Sequence, residues 1–231
     1  MGALIQEFSP DVRRSRARRR TVGLRLAEGR LIVNVPHTLG AHDIEKVLQK
    51  HENWVRKKLA DAKKQQAASR RKGHSGEGYL YKGREYMLQV QRVPAGYLAH
   101  VRREEDYLVL HLPPKIRART VLEGWYMERA QAYLITRTSL LAARYGITYR
   151  NITIGDYKTR WGSCSRFGNL RFCWRIMMAP PKVIDYLIIH ELMHRKVFSH
   201  SPRFWAAVEA AMPDYDTPRK WLRDNAATLG W

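Results

Sequence analysis

Val183-Ile184-Asp185-Tyr186-Leu187-Ile188-Ile189-His190-Glu191-Leu192-Met193-His194 decides the reading of this chain. The first seven residues are almost wholly apolar and carry no helix break, so they predict a buried helix that delivers the last five. One helical turn takes about 3.6 residues, so His190 and His194 lie on nearly one face and can both reach one metal ion. Glu191 adds a carboxylate beside that site. Two histidines and a glutamate in an apolar helix each need a buried partner, and a shared metal supplies one.

A catalytic zinc needs a third protein ligand and an open position for water. The downstream candidates are His200, Glu209, Asp214 and Asp216. On a straight helix His200 would lie about 15 Å along the axis from His190 and roughly 80° round it, too far to share a metal. The chain must therefore turn. Ser201 reads as an N-cap and Pro202 as the first helical residue, which places the break at 197–200 and leaves His200 on the turn. His200 is favoured because it follows the break directly. Glu209 is its rival, two turns into the next helix behind Phe204, Trp205 and Val208. Asp214 and Asp216 follow Met212-Pro213 and read as helix-start residues.

The run from His190 to His194, then His200-Ser201-Pro202-Arg203-Phe204-Trp205, then Pro213-Asp214-Tyr215, resembles the YgjP-like family of metal-dependent hydrolases, relatives of the SprT-like and WLM zinc proteases. Arg160-Trp161-Gly162-Ser163-Cys164-Ser165, Gly168-Asn169 and Trp174-Arg175 are similar to that family too, as, more weakly, is the stretch from Val12 to Arg19. The resemblance covers nearly the whole chain. It implies that His190, His194 and His200 are the metal ligands, that Glu191 is the general base, and that the carboxyl-terminal domain is a zincin-like metallopeptidase.

Three neutral imidazoles would leave the charge of a zinc ion undiminished and acidify a bound water to a pKa of about 7. Glu191 would take that proton and pass it to the leaving group. Another divalent transition metal would suit the same ligands.

The segment 152–176 is the next most informative. Ile152-Thr153-Ile154 and Leu170-Arg171-Phe172-Cys173-Trp174 are β-rich, with a hairpin turn expected at Arg166-Phe167-Gly168-Asn169. A strand edge beside the metal helix would pair with extended peptide. Arg160, Trp161, Ser163 and Asn169 are the candidate cleft residues, and each also has an ordinary reading as solvated charge, core aromatic or turn former. Cys164 and Cys173 lack metal-ligand spacing and read as reduced thiols.

The composition, 45% hydrophobic over 231 residues, is enough for a core. The net charge is +21, from 42 Lys and Arg against 21 Asp and Glu. Six arginines fall between Arg13 and Arg20, and a second basic run takes in Lys57-Lys58, Lys63-Lys64 and Arg70-Arg71-Lys72. Such density attracts nucleic acid, nucleotides or acidic substrates, or it simply forms a solvated basic face. Without a membrane-length apolar run or a leader-like start, the chain reads as cytoplasmic with no membrane partner.

Elsewhere, 21–26 and 31–35 alternate as a hairpin around Glu28-Gly29, and 41–66 has helical spacing. Residues 69–78 read as a linker or mobile loop. Residues 79–93 (turning at Lys82-Gly83), 97–101 and 107–112 read as strands, 116–145 as a long helix stopped by Gly146, and 217–229 as a closing helix anchored by Trp221 and Trp231. The expectation is an α+β chain: a basic, β-rich region 1–112 with one helix, then a catalytic domain 113–231 whose metal helix lies beside a small antiparallel sheet. Its expected activity is zinc-dependent peptide hydrolysis. The alternatives are hydrolysis of a nucleotide phosphoanhydride and proteolysis of DNA-bound proteins.

Overall fold

The computed structural model describes residues 2–19, 21–27, 29–69 and 71–230. Met1, Arg20, Glu28, Arg70 and Trp231, and the side chains of residues 64–69, lie outside the described residues, so the readings made on them are not taken further. The chain divides into two compact units, 1–70 and 71–230.

In the first unit, α1 (Ala3–Phe8), β1 (Asp11–Ser15), β2 (Gly23–Ala27), β3 (Arg30–Pro36), α2 (Ala41–Lys50) and α3 (Glu52–Ser69) follow in order. The expected hairpin is β2–β3, antiparallel, with Leu24 opposite Val33. β1 joins the other side of β3 in parallel, Val12 opposite Val33. Leu31, Val33 and Val35 pack with Ile44, Leu48 and Val55 in the core. The single helix expected over 41–66 is broken at His51, whose N–H bonds back to Val47 and Leu48. The break lets Val55 enter the core while Trp54 stays exposed. Part of the basic run has structural work: Arg14 donates to the carbonyls of His37 and Leu39, and Arg13 pairs with Asp11.

The second unit opens with β4 (Gly78–Tyr81), β5 (Arg84–Arg92), β6 (His100–Glu104) and β7 (Tyr107–Leu112), in sheet order β4-β5-β7-β6. β5 and β7 run parallel, Leu88 opposite Leu108. The segment before β4, expected to be a mobile loop, is tied down by Glu77. Its carboxylate accepts the N–H groups of Lys72 and Gly73 and the Tyr79 hydroxyl. These bonds hold the Glu77 pKa below its ordinary value even though burial opposes them. The long helix α4 (Ala118–Arg144) buries Leu122, Trp125, Tyr126 and Leu134, and the Tyr126 hydroxyl donates to Leu80 O at 2.6 Å.

Beyond α4 lie β8 (Asn151–Gly155), β9 (Gly162–Cys164), β10 (Asn169–Cys173) and a 3-10 turn, Trp174–Met178. Then come α5 (Pro181–Met193), α6 (Pro202–Ala211), α7 (Asp216–Asn225) and a last 3-10 turn over 226–228. The second sheet is mixed, in order β8-β10-β9, whereas an antiparallel one was expected. The turn at Arg166–Asn169 joins β9 to β10, and β8 pairs with β10 in parallel. Only the short strand β9 reaches back antiparallel.

The division expected after residue 112 falls inside this second unit. Lys82 and Gly83 donate backbone N–H bonds to Met177 O and Met178 O, at 2.7 and 3.1 Å. At Gly83 (φ 80°) a β-carbon would stand 2.9 Å from Pro180 Cα. The β4–β5 turn is thus packed against the entry to α5, and the sheet β4-β5-β7-β6 belongs with the helix that carries the histidines. Among the described residues no helix is long and apolar enough to cross a membrane.

Candidate metal centre

α5 begins with Pro181 at its first position, where a missing N–H costs nothing. Val183, Ile184, Leu187, Ile188 and Ile189 are buried, as the apolar run predicted. Asp185, the polar exception, accepts a two-pronged bond from Arg137 of α4, 2.7 Å at each oxygen. The helix ends at Met193, earlier than the 197–200 expected. Arg195 and Lys196 close i→i+3 bonds to Leu192 O and Met193 O, which tighten the last turn and leave His194 just past the helix but still in helical backbone. α6 starts at Pro202 after Ser201, as expected, although the Ser201 side chain makes no capping bond.

This turn brings His200 back. One ligand nitrogen from each of His190, His194 and His200 lies within 4.8 Å of the others. His190 Nε2 and His200 Nε2 are 3.0 Å apart, close to the roughly 3.3 Å between two imidazole nitrogens on a tetrahedral zinc. His194 Nδ1 lies 3.3 Å from Val197 O and donates to it, which turns its Nε2 lone pair inward. Burial and the two neighbouring rings push His190 down to about 3, so it is neutral at ordinary pH. His190 Nδ1 is buried without a hydrogen-bond partner. Three imidazole nitrogens drawn together in this way fit a divalent transition metal. Glu209 is exposed on α6, apart from the triad, and Asp214 pairs with Lys182. Asp216 opens α7 as expected.

Glu191 is 5% exposed, and burial pushes its carboxyl up to about 8, with the charge of Arg160 pulling the other way. β9 lies directly against it. A β-carbon on Gly162 would stand 2.6 Å from Glu191 Oε1. The Cys164 thiol, two residues on and facing the same way, is raised by burial and then by the Glu191 charge. Alternation along β9 therefore sets 162 and 164 toward Glu191 and turns Ser163 to the other face, while Arg160, before the strand, acts on Glu191 through its charge. Trp161 O accepts the N–H of Cys173, and Asn169 takes part in the turn through its backbone bonds with Ser165. Cys164 and Cys173 are free thiols, as expected.

α6 supplies walls that the sequence did not single out for a role. Phe204, fully buried, stacks on His194 at 4.5 Å and meets His190 edge-on at 4.9 Å. Trp205 stacks on His200 at 5.9 Å, with Tyr215 and the Arg219 guanidinium against it. Their place at positions three and four of the return helix is the signal that points to them.

A family model described as "YgjP-like, metallopeptidase domain" matches residues 20–225. Among curated proteins nothing matches. Among solved structures, the zymogen of the metallopeptidase abylysin from Pyrococcus abyssi is 20% identical, with a TM-score of 0.35, over 38% of this chain and 90% of that one. The jannalysin zymogen from Methanocaldococcus jannaschii is 19% identical, with a TM-score of 0.36, over 39% and 94%. Because the family match spans nearly the whole chain, this protein belongs to the YgjP-like family and carries its metallopeptidase domain, that of a metal-dependent hydrolase.

Proposed function

We propose that the chain is a zinc-dependent peptidase of zincin-like construction, with His190, His194 and His200 as ligands and Glu191 as general base. The observation that carries this reading is the convergence of three imidazole nitrogens within 4.8 Å beside a buried carboxyl. When bound, the metal supplies Lewis-acid polarisation of a carbonyl and acidification of water. Three imidazoles suit zinc, although other divalent transition metals share that preference.

Glu191 receives the proton of the attacking water and delivers it to the leaving nitrogen. Burial raises the proton affinity of the Glu191 carboxyl in the metal-free chain, and the positive charge of a bound metal would draw it back toward the ionised form that a base needs. Phe204 and Trp205 hold the rings of His194 and His200 in place and keep their outer faces dry. β9 is an edge strand of its sheet, so its free backbone groups would pair with an extended peptide. Arg160, exposed and electrostatically coupled to Glu191, steadies the developing oxyanion. The free backbone groups of that edge belong to Gly162 and Cys164, because Trp161 and Ser163 turn theirs toward β10, Trp161 accepting the N–H of Cys173.

The test is Glu191→Gln assayed on a denatured protein, with zinc content measured in parallel. Zinc is expected to stay and turnover to fall by about 10²–10⁴. Turnover equal to that of the parent overturns the assignment.

A further inference from the structure

On the second unit, away from the histidines in its lining, a cavity of 460 Å³ opens between the edge strand β6, helix α4 and the β4–β5 turn. Its floor is aromatic: Tyr81 and Trp125 are 7% and 6% exposed, with ring centroids 5.0 Å apart. Three cations stand over that floor. Arg103 lies 5.8 Å from the Tyr81 centroid, Arg129 5.8 Å from that of Trp125, and Lys82 3.9 Å from Tyr133 and 5.7 Å from Tyr81.

Among the described residues none of the three has a carboxylate partner. Glu104 also lines the cavity, but strand alternation sets it, with Arg102, on the opposite face of β6. Both charges act on His111, which pairs across the strands with His100 on that face. Lys82 is half-buried, and its pKa is lowered by burial and by Arg103. The three like charges repel one another, Lys82 being partly desolvated beside the two exposed guanidiniums, and an anion joining them would relieve that repulsion. The rings fix the side chains in advance, so little freedom is lost on binding. The Lys82 backbone is held as well, by its bond to Met177 O.

We propose that this cavity binds a phosphate group, gripped by Arg103 and Arg129 through their paired N–H donors and by Lys82 as a point charge. Planar guanidinium forks match phosphate oxygens, and the ammonium beside them adds a further positive charge to face the anion. The volume is that of a small-molecule site. The phosphate is either that of a free small ligand or that of a nucleic-acid backbone entering the cleft.

The test is calorimetric titration of the zinc-loaded chain with inorganic pyrophosphate, with a single-stranded oligonucleotide and with an acidic peptide. The parent and an Arg103→Gln/Arg129→Gln double variant are compared, with Lys82→Gln as a second variant. Both arginines are exposed, so the variants are expected to fold, and an unchanged melt checks this. Pyrophosphate or oligonucleotide binding that weakens by about tenfold or more in the double variant, with peptidase turnover unchanged, supports the site. Which of the two binds identifies the source of the phosphate. Equal affinity in parent and variants places the binding elsewhere and overturns the proposal. So does an absence of phosphate binding, or an acidic peptide that binds as tightly and is lost in the same variants.

Discussion

Gly162 and Glu191 are in contact with no room between them: a β-carbon on the glycine would come within 2.6 Å of Glu191 Oε1, 2.8 Å of Cγ and 3.0 Å of Cδ. The strand that borders the metal helix thus sets where the carboxyl stands. A glycine inside a strand marks a close approach of this kind. Gly162→Ala is expected to push the carboxylate aside and lower turnover by about 10²-fold, the cost of a misplacement near 1 Å. Zinc content should be unchanged, because no ligand moves. Parental turnover in this variant would show that Glu191 tolerates displacement and is not the base.

His200, the proposed ligand on the turn, is the exposed member of the triad. His200→Ala leaves His190 and His194 on the chain with two of the nitrogens that zinc requires. Zinc affinity measured against a chelator is expected to fall by 10-fold or more, about the loss seen when a supporting contact of a metal site is removed. A stoichiometric, tightly held zinc in the variant would mean that another residue is the third ligand, with Glu209 the first to examine.

Arg137 and Asp185 tie α4 to α5 through two 2.7 Å bonds, and that partnership raises the Arg137 pKa. Asp185→Asn removes the charge and one acceptor while leaving the guanidinium half-buried. A loss of about 1–3 kcal/mol is expected in denaturant melts. Zinc affinity of the folded variant should match the parent, since the pair touches none of the histidines. An unchanged melting midpoint would show the pair to be solvated and idle.

Glu191 also makes the stability of the zinc-free chain depend on pH. Its folded pKa, about 8, lies above the ordinary 4.5, so the folded chain holds an extra proton between those values. The associated stability is full below pH 4.5 and is lost as pH rises through 8. His190 acts in the opposite sense: its folded pKa of about 3 lies below 6.5, so its contribution is lost as pH falls from 6.5 toward 3. Thermal melts of chelated protein from pH 6.5 to 8.5 are expected to fall in the parent and to flatten in Glu191→Gln. Parallel curves for the two proteins would contradict the raised carboxyl.

The metal helix was legible because its signals are local. Apolar spacing over 183–189, histidines one turn apart, and a Ser-Pro restart at 201–202 all act within a few residues. The sheet beside it was less legible. Ile154 and Phe172 pair in parallel although a whole strand intervenes. Such register depends on packing between distant segments, and nothing in either strand states it. The turn residues Arg166–Asn169 were read correctly as a turn and assigned to the wrong pair of strands.

By itself the sequence determined an α+β chain, a helix carrying His190, Glu191 and His194, a break that frees His200, and a strongly basic surface, because each rests on local periodicity, capping or composition. Tertiary structure alone decided that the sheet β4-β5-β7-β6 belongs with the histidine-bearing helix, since backbone bonds from Lys82 and Gly83 to Met177 and Met178 join residues far apart in the chain. It alone set Gly162 against Glu191, Phe204 and Trp205 against the histidine rings, and three cations over Tyr81 and Trp125. Close approach, burial and shared charge belong to pairs of segments, and they exist only once the chain has brought those segments together.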